Sequence, residues 1–316
     1  MGAVEYFDVS ARDGLQNDSV LLSTAQKLEL IHLAIAAKCR RIEVTSFVHP
    51  KRVPQMADAE DLIAQLPDRD DLTFIGLVMN DRGLDRALAT KIDEIGCVTV
   101  ASDTFAQKNQ GQTSQESVDV AAQLIARAKR EGRSANVTIS AAFGCPFEGE
   151  VAVERVVEMA RQLADAEPRE IAIADTIGVG DPAKTLALVE GVRAVTGDLP
   201  LRAHFHNTRN TAIANAYIAA SAGVTTLDGS MGGIGGCPFA PNAPGTVPSE
   251  DLVYMLERAG IDTGIDLDGL LEGAAWLSEA LGKSLPGMVS RAGPFPKSEQ
   301  NTEQNIDSNP KELETT

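Results

Sequence analysis

Strand-length apolar runs alternate with amphipathic helical stretches eight times along this chain, and that rhythm constrains the fold more than any other feature. The pairs read VEYFDVS then TAQKLELIHLAIAAK, RRIEVTSF then ADAEDLIAQL, LTFIGLVMN then DRGLDRALAT, and EIGCVTVA then SQESVDVAAQLIARAKREG. They continue as NVTISAAFG then VERVVEMARQLADAE, EIAIADT then PAKTLALVEGVRAVTG, LRAHFHN then NTAIANAYIAASAG, and TTLDGSM then SEDLVYMLERAG. Eight such units in about 260 residues match the length of an α/β (β/α)8 TIM barrel, whereas a doubly wound sheet more often uses five or six strands. Ser114 with Glu116 and Ser117, Asp181 before Pro182, and Ser249 before Glu250 read as helix starts, and Gly132, Gly197 and Gly223 as helix ends. An extra C-terminal helix, LDGLLEGAAWLSEALGK, is expected outside the barrel or against a partner subunit. The predicted organisation is a barrel domain over residues 1–290 and a flexible polar tail over 291–316.

Composition removes several function classes. Aromatic residues make up only 4%, so aliphatic side chains are expected to fill the core. The formal net charge is −17 with no Lys/Arg stripe, which excludes a nucleic-acid footprint and means that a polyanionic ligand needs local Lys and Arg at its site. No basic segment precedes an apolar run at the start, and no window approaches the roughly 18 apolar residues a membrane span needs. A cytoplasmic protein with no membrane partner is expected. Cys39, Cys97, Cys145 and Cys237 show no CxxC spacing, so reduced thiols are the default.

A barrel of this kind places its chemistry where strands end. The polar residues there are Arg12, Asp13 and Gln16 after the first strand, Glu43, Thr45 and Ser46 at the second, Asn80 at the third and Ser140 at the fifth. Asp175 and Thr176 follow at the sixth, His204, His206 and Asn207 at the seventh, and Asp228 and Ser230 at the eighth. His204 and His206 stand two apart on a strand and therefore point to one face, so both imidazoles can reach one ion. Asp13 lies past a strand that neighbours the eighth in a closed barrel, and adds the oxygen ligand that Mg2+ or Mn2+ favours. Arg12 can hold an oxygen on which negative charge develops, or else pair with Glu43 or Asp175. The run GGIGGCPF lacks an immediately following helix, which excludes a dinucleotide fingerprint. It reads as an active-site loop carrying Cys237 as an acid. His32 and His49 read as surface or packing residues.

The segments DVSARDGLQND (8–18), IEVTSFVHPKRVPQM (42–56), GCPFEG (144–149), IADTIGVG (173–180), HFHNT (204–208) and SMGGIGGCPFAP (230–241) together resemble the 3-hydroxy-3-methylglutaryl-CoA (HMG-CoA) lyase family, to about residue 290. The resemblance implies metal-dependent cleavage of an acyl-CoA to acetyl-CoA and a keto acid, acetoacetate in the parent reaction, with a place in leucine degradation or ketone-body chemistry. It implies Asp13, His204 and His206 as ligands to Mg2+ or Mn2+, Asp13 or His204 as the base, Arg12 stabilising an enolate and Cys237 protonating it. Glu43 and Asp175 would orient Arg12 and substrate, and Gln16, Ser140, Thr176 and Arg209 are candidate substrate contacts. Two positions depart from the family. Where it has a metal-ligating Asn this chain has Thr246, leaving the fourth contact to Thr246, a water or Asn242; Arg209 adds a positive charge expected close to the metal. Both motivate an alternative substrate such as citramalyl-CoA. A Claisen-type synthase is disfavoured by the GGCPF loop, and a biotin-dependent carboxyltransferase by Ala174, where that group has a metal-binding Lys. A silent scaffold barrel is disfavoured by retention of Arg12, Asp13, His204, His206 and Cys237. A homodimer is the expected assembly.

Overall fold

The computed structural model describes residues 2–236 and 245–296. Eight parallel strands close into a barrel: β1 (Glu5–Asp8), β2 (Arg41–Ser46), β3 (Thr73–Leu77), β4 (Glu94–Val100), β5 (Ser134–Ser140), β8 (Ile171–Asp175), β9 (Leu201–Phe205) and β10 (Thr226–Gly229), with β1 paired to both β2 and β10. The α/β TIM barrel expected from the eight repeats is the fold observed. A small antiparallel hairpin, β6 (Gly144–Cys145) and β7 (Gly149–Glu150), rises from the loop after β5. The helices are α1 (Thr24–Ala36), α2 (Ala59–Ala64), α3 (Asp81–Leu88), α4 (Asp103–Gln110), α5 (Ser114–Arg130), α6 (Val153–Ala164), α7 (Pro182–Thr196), α8 (Ala212–Ser221), α9 (Ser249–Arg258), α10 (Leu267–Leu281) and α11 (Val289–Ala292).

Local chemistry accounts for the helix boundaries, with two shifts from expectation. Thr113, one residue before Ser114, caps α5: its hydroxyl accepts from the Glu116 amide at 3.2 Å, and Glu116 returns a carboxylate to the Thr113 amide at 2.7 Å. Ser249 is the first residue of α9 and not its cap, because its hydroxyl bonds the buried Tyr6 hydroxyl instead. Asp181 caps α7 as expected, accepting from the Ala183 and Lys184 amides ahead of Pro182. Helix α10 lies outside the barrel against α1 and the turn Met231–Gly233. The predicted tail over 291–316 falls outside the described residues from 297 on.

The main aliphatic core lies between strands and helices, but the inside of the barrel is largely ionic. At its N-terminal end Arg41 bonds Glu94 at 2.6 Å and Glu170 at 2.9 Å, and Arg202 bonds Glu170 at 3.0 Å. Phe7 is held between the two guanidinium groups, 4.9 Å from Arg41 and 4.5 Å from Arg202. The expected aliphatic filling therefore describes the layer around the barrel; within it, the floor beneath the strand ends is a layer of paired charges.

Candidate active site

Arg12 and Asp13 sit on a five-residue π-turn, Ser10–Gly14, that follows β1 directly. Gly14 permits this turn to press on the loop after β10, since a Cβ there would lie 2.7 Å from Ser230 Oγ and 2.8 Å from the Ile234 side chain. The turn delivers Asp13 to the inner face of β9. Asp13 Oδ2 lies 3.9 Å from His204 Nε2 and 3.8 Å from His206 Nε2, and these three donor atoms form a cluster able to hold a metal ion. One carboxylate and two imidazoles make a donor set suited to a divalent cation.

The electrostatics set the three side chains differently. Burial alone would raise the Asp13 carboxyl, but Arg12, His204, His206 and the Thr246 hydroxyl overcome it and hold it at about 2. Burial and the neighbouring His204 push His206 down to about 4, so its ring is neutral at physiological pH. Burial lowers His204 as well, but Asp228, bonded to Nδ1 at 2.7 Å, outweighs it and raises His204 above the usual histidine value.

Arg12 pairs with Glu43 at 2.6 Å and with Asp13 at 3.0 Å, resolving its expected partner in favour of Glu43. Asp175 instead shapes the backbone: its oxygens accept the Val179 and Gly180 amides at 2.9 and 2.8 Å, folding the loop after β8. Thr176 Oγ1 accepts the Ala141 amide and Gln16 accepts from the Ser46 hydroxyl. Thr246 donates its hydroxyl to Asp13 Oδ2 at 2.9 Å, so it steadies that carboxylate.

Arg12, Asp13, Gln16, Ser140, Thr176, His204 and His206 all line one cavity of about 1180 Å3 at the C-terminal mouth. Arg209 does not. The turn in which the Asn210 amide bonds the Asn207 carbonyl swings it outward, and its guanidinium donates to the Ile177 and Gly178 carbonyls. The expected charge beside the metal is thus a clamp behind the loop. Cys237 and Asn242 lie outside the described residues, although Gly236, the residue before Cys237, lines the cavity. His32 and His49 are exposed, and His49 borders the cavity. Asp228 and Arg202 are participants that strand-end reasoning left without a role; the signal for Arg202 was its place two residues before His204, on the same face of β9.

A closed parallel barrel with an acid–imidazole cluster and a charged Arg at its C-terminal mouth has the layout of a barrel enzyme's active site. The family model for HMGL-like proteins matches residues 3–276, and the chain belongs to this family of carbon–carbon lyases. It is 41% identical to the (R)-citramalyl-CoA lyase of Chloroflexus aurantiacus, over 93% of this chain and 96% of that protein. It is 38% identical to a hydroxymethylglutaryl-CoA lyase of Bacillus subtilis, over 88% and 93%. The crystal structure of the Bacillus HMG-CoA lyase superposes with a TM-score of 0.88, covering 92% of this chain and 97% of that one. An HMG-CoA lyase from Acinetobacter baumannii, solved with coenzyme A and 3-methylmalate, also gives 0.88, at 32% identity and 98% coverage of both chains.

Proposed function

We propose that the protein cleaves 3-hydroxy-3-methylglutaryl-CoA, or a close 3-hydroxyacyl-CoA analogue, to acetyl-CoA and a keto acid, with Asp13, His204 and His206 holding Mg2+ or Mn2+. The convergence of those three side chains on one point of a family barrel is the observation that carries this reading. A bound divalent ion there would supply Lewis acidity to the substrate's hydroxyl and adjacent oxygen. Asp13 takes the hydroxyl proton on its second oxygen, because a His204 that gives Nε2 to the ion and keeps Nδ1 protonated toward Asp228 has no lone pair left to accept one. The bond between the carbinol carbon and the thioester's α-carbon then breaks, leaving a ketone and a thioester enolate. Arg12, fixed by Glu43, offers its guanidinium to the enolate oxygen. Cys237, next to the cavity-lining Gly236, returns a proton to carbon.

Arg52, Arg82, Arg86 and Lys108 line the same cavity, and supply the local positive charge that a CoA ester needs against the −17 of the whole chain. The higher identity to a citramalyl-CoA lyase supports a second substrate reading. Turnover of both thioesters, measured as acetyl-CoA released, decides between them. Chelator treatment should abolish activity and Mn2+ restore it, while His204→Ala and Cys237→Ala should each lower kcat at least about a hundredfold. Full activity in chelator would end the metal reading; neither thioester being cleaved would end the lyase reading.

A further inference from the structure

His204 is held differently from His206. Its Nδ1 lies 2.7 Å from Asp228 Oδ1, and the other oxygen of Asp228 accepts from Arg202 Nη1 at 2.5 Å. Asp228 is fully buried, so no solvent competes for it. Arg202 is in turn immobile: Nε donates to Glu170 at 3.0 Å, Nη2 to Thr138 Oγ1 at 2.9 Å and to Asn136 Oδ1 at 3.2 Å, with its plane against Phe7. An ionised carboxylate only accepts hydrogen bonds, and a neutral imidazole carries one proton. That proton must therefore sit on Nδ1, which leaves the lone pair of Nε2 facing Asp13. His206 has no comparable guide; its buried Nδ1 lacks a hydrogen-bond partner among the described residues.

We infer that Asp228, clamped by Arg202, is a positioning residue that fixes His204 in the Nδ1–H tautomer and presents its Nε2 lone pair before any ion arrives. The inference rests on the proposed ligand role of His204. The geometry makes a specific demand on Asp228→Asn. Arg202 has only donors to offer, so the amide oxygen must face it, and the amide N–H2 then faces His204 Nδ1. The ring is forced to accept at Nδ1 and to carry its proton on Nε2, aimed at the metal position.

The chain has four histidines, so long-range 1H–15N correlation on histidine-labelled, metal-free full-length protein reads each tautomer separately, with His204 assigned by its loss in His204→Gln. At about pH 9, above the ordinary histidine range, the wild type should show His204 protonated on Nδ1 and Asp228→Asn should show it on Nε2. Mn2+ affinity of the same samples, followed by the paramagnetic resonance of free Mn2+, should fall roughly tenfold or more in Asp228→Asn. An Nε2–H tautomer in the wild type overturns the inference without recourse to a variant, as does an unchanged tautomer in folded Asp228→Asn. A wild type with the Nδ1–H tautomer that binds no Mn2+ would instead defeat the ligand reading of His204 and leave the positioning by Asp228 standing.

Discussion

Asp8 shows how one side chain can carry a pH signature. It is the buried last residue of β1, where its carboxylate accepts from the Ser10 amide at 3.1 Å, the Ser10 hydroxyl at 2.9 Å and the Tyr6 hydroxyl at 3.3 Å. Burial outweighs these bonds and raises it to about 6. A carboxyl raised on folding binds its proton more tightly in the native state, so its contribution to stability is present at low pH and is lost as pH climbs from about 4 to about 6, an effect of order 3 kcal/mol. His206, lowered to about 4, works in the opposite sense: it stabilises the neutral form, and that support is lost as pH falls from about 6.5 toward 4. The total curve mixes both. Urea midpoints of wild type and Asp8→Asn across pH 4 to 7 separate them: the variant should gain on the wild type as pH rises, and parallel curves would contradict the burial argument. Residues of this kind also mark the limit of sequence reading. Asp13, His204 and His206 were legible because strand periodicity and closure of the barrel bring them together on paper. Asp8 and Arg202 were not, since nothing local says that an acid or a base within a strand faces other charges and not solvent.

Among the elements, the loop after β8 links packing to the site. It folds around Asp175 and is fastened from behind by Arg209. Gly178 adopts φ +59°, and a Cβ there would sit 2.6 Å from Thr208 Oγ1 and 2.8 Å from the carbonyl oxygen of His206. Gly178→Ala thus strains its own backbone and pushes on the segment that carries His206. A loss of about 1–3 kcal/mol is expected by calorimetry, with a severalfold fall in kcat/KM; an unchanged melting profile would show that the loop yields freely. The eight strands and their following helices were readable from period and length. The exceptions were short. Helix α4 over Asp103–Gln110 escaped notice because Phe105 and Ala106 are its only apolar residues and adjacent positions define no helical period, and the β6–β7 hairpin because its strands have two residues each; the start of α5 moved by one because Thr113 and Ser114 are both competent caps.

At the scale of the whole molecule, the barrel axis is a column of alternating charge. It passes from Arg41 to Glu170, Arg202, Asp228 and His204, each step a hydrogen bond of 3.0 Å or shorter. Removing one member of a buried ionic set strands its partners without water, which is costlier than the set is stabilising. Arg41→Met should therefore lower stability by about 3–5 kcal/mol in urea denaturation, because Glu94 and Glu170 stay buried with less positive charge beside them. A loss under about 1 kcal/mol would mean that Arg169 and Arg202 suffice for those carboxylates. No single stretch of sequence displays this column, because its members come from strands far apart in the chain and meet only through register. The same column constrains how such a protein can change over generations. A substitution on the axis alters a partner of the next group and so reaches His204 at the top, whereas Arg52, Arg82 and Lys108 stand on separate rim segments and can be exchanged one at a time. Single exchanges are therefore expected to be tolerated at the rim, whereas the groups of the axis stand or fall together.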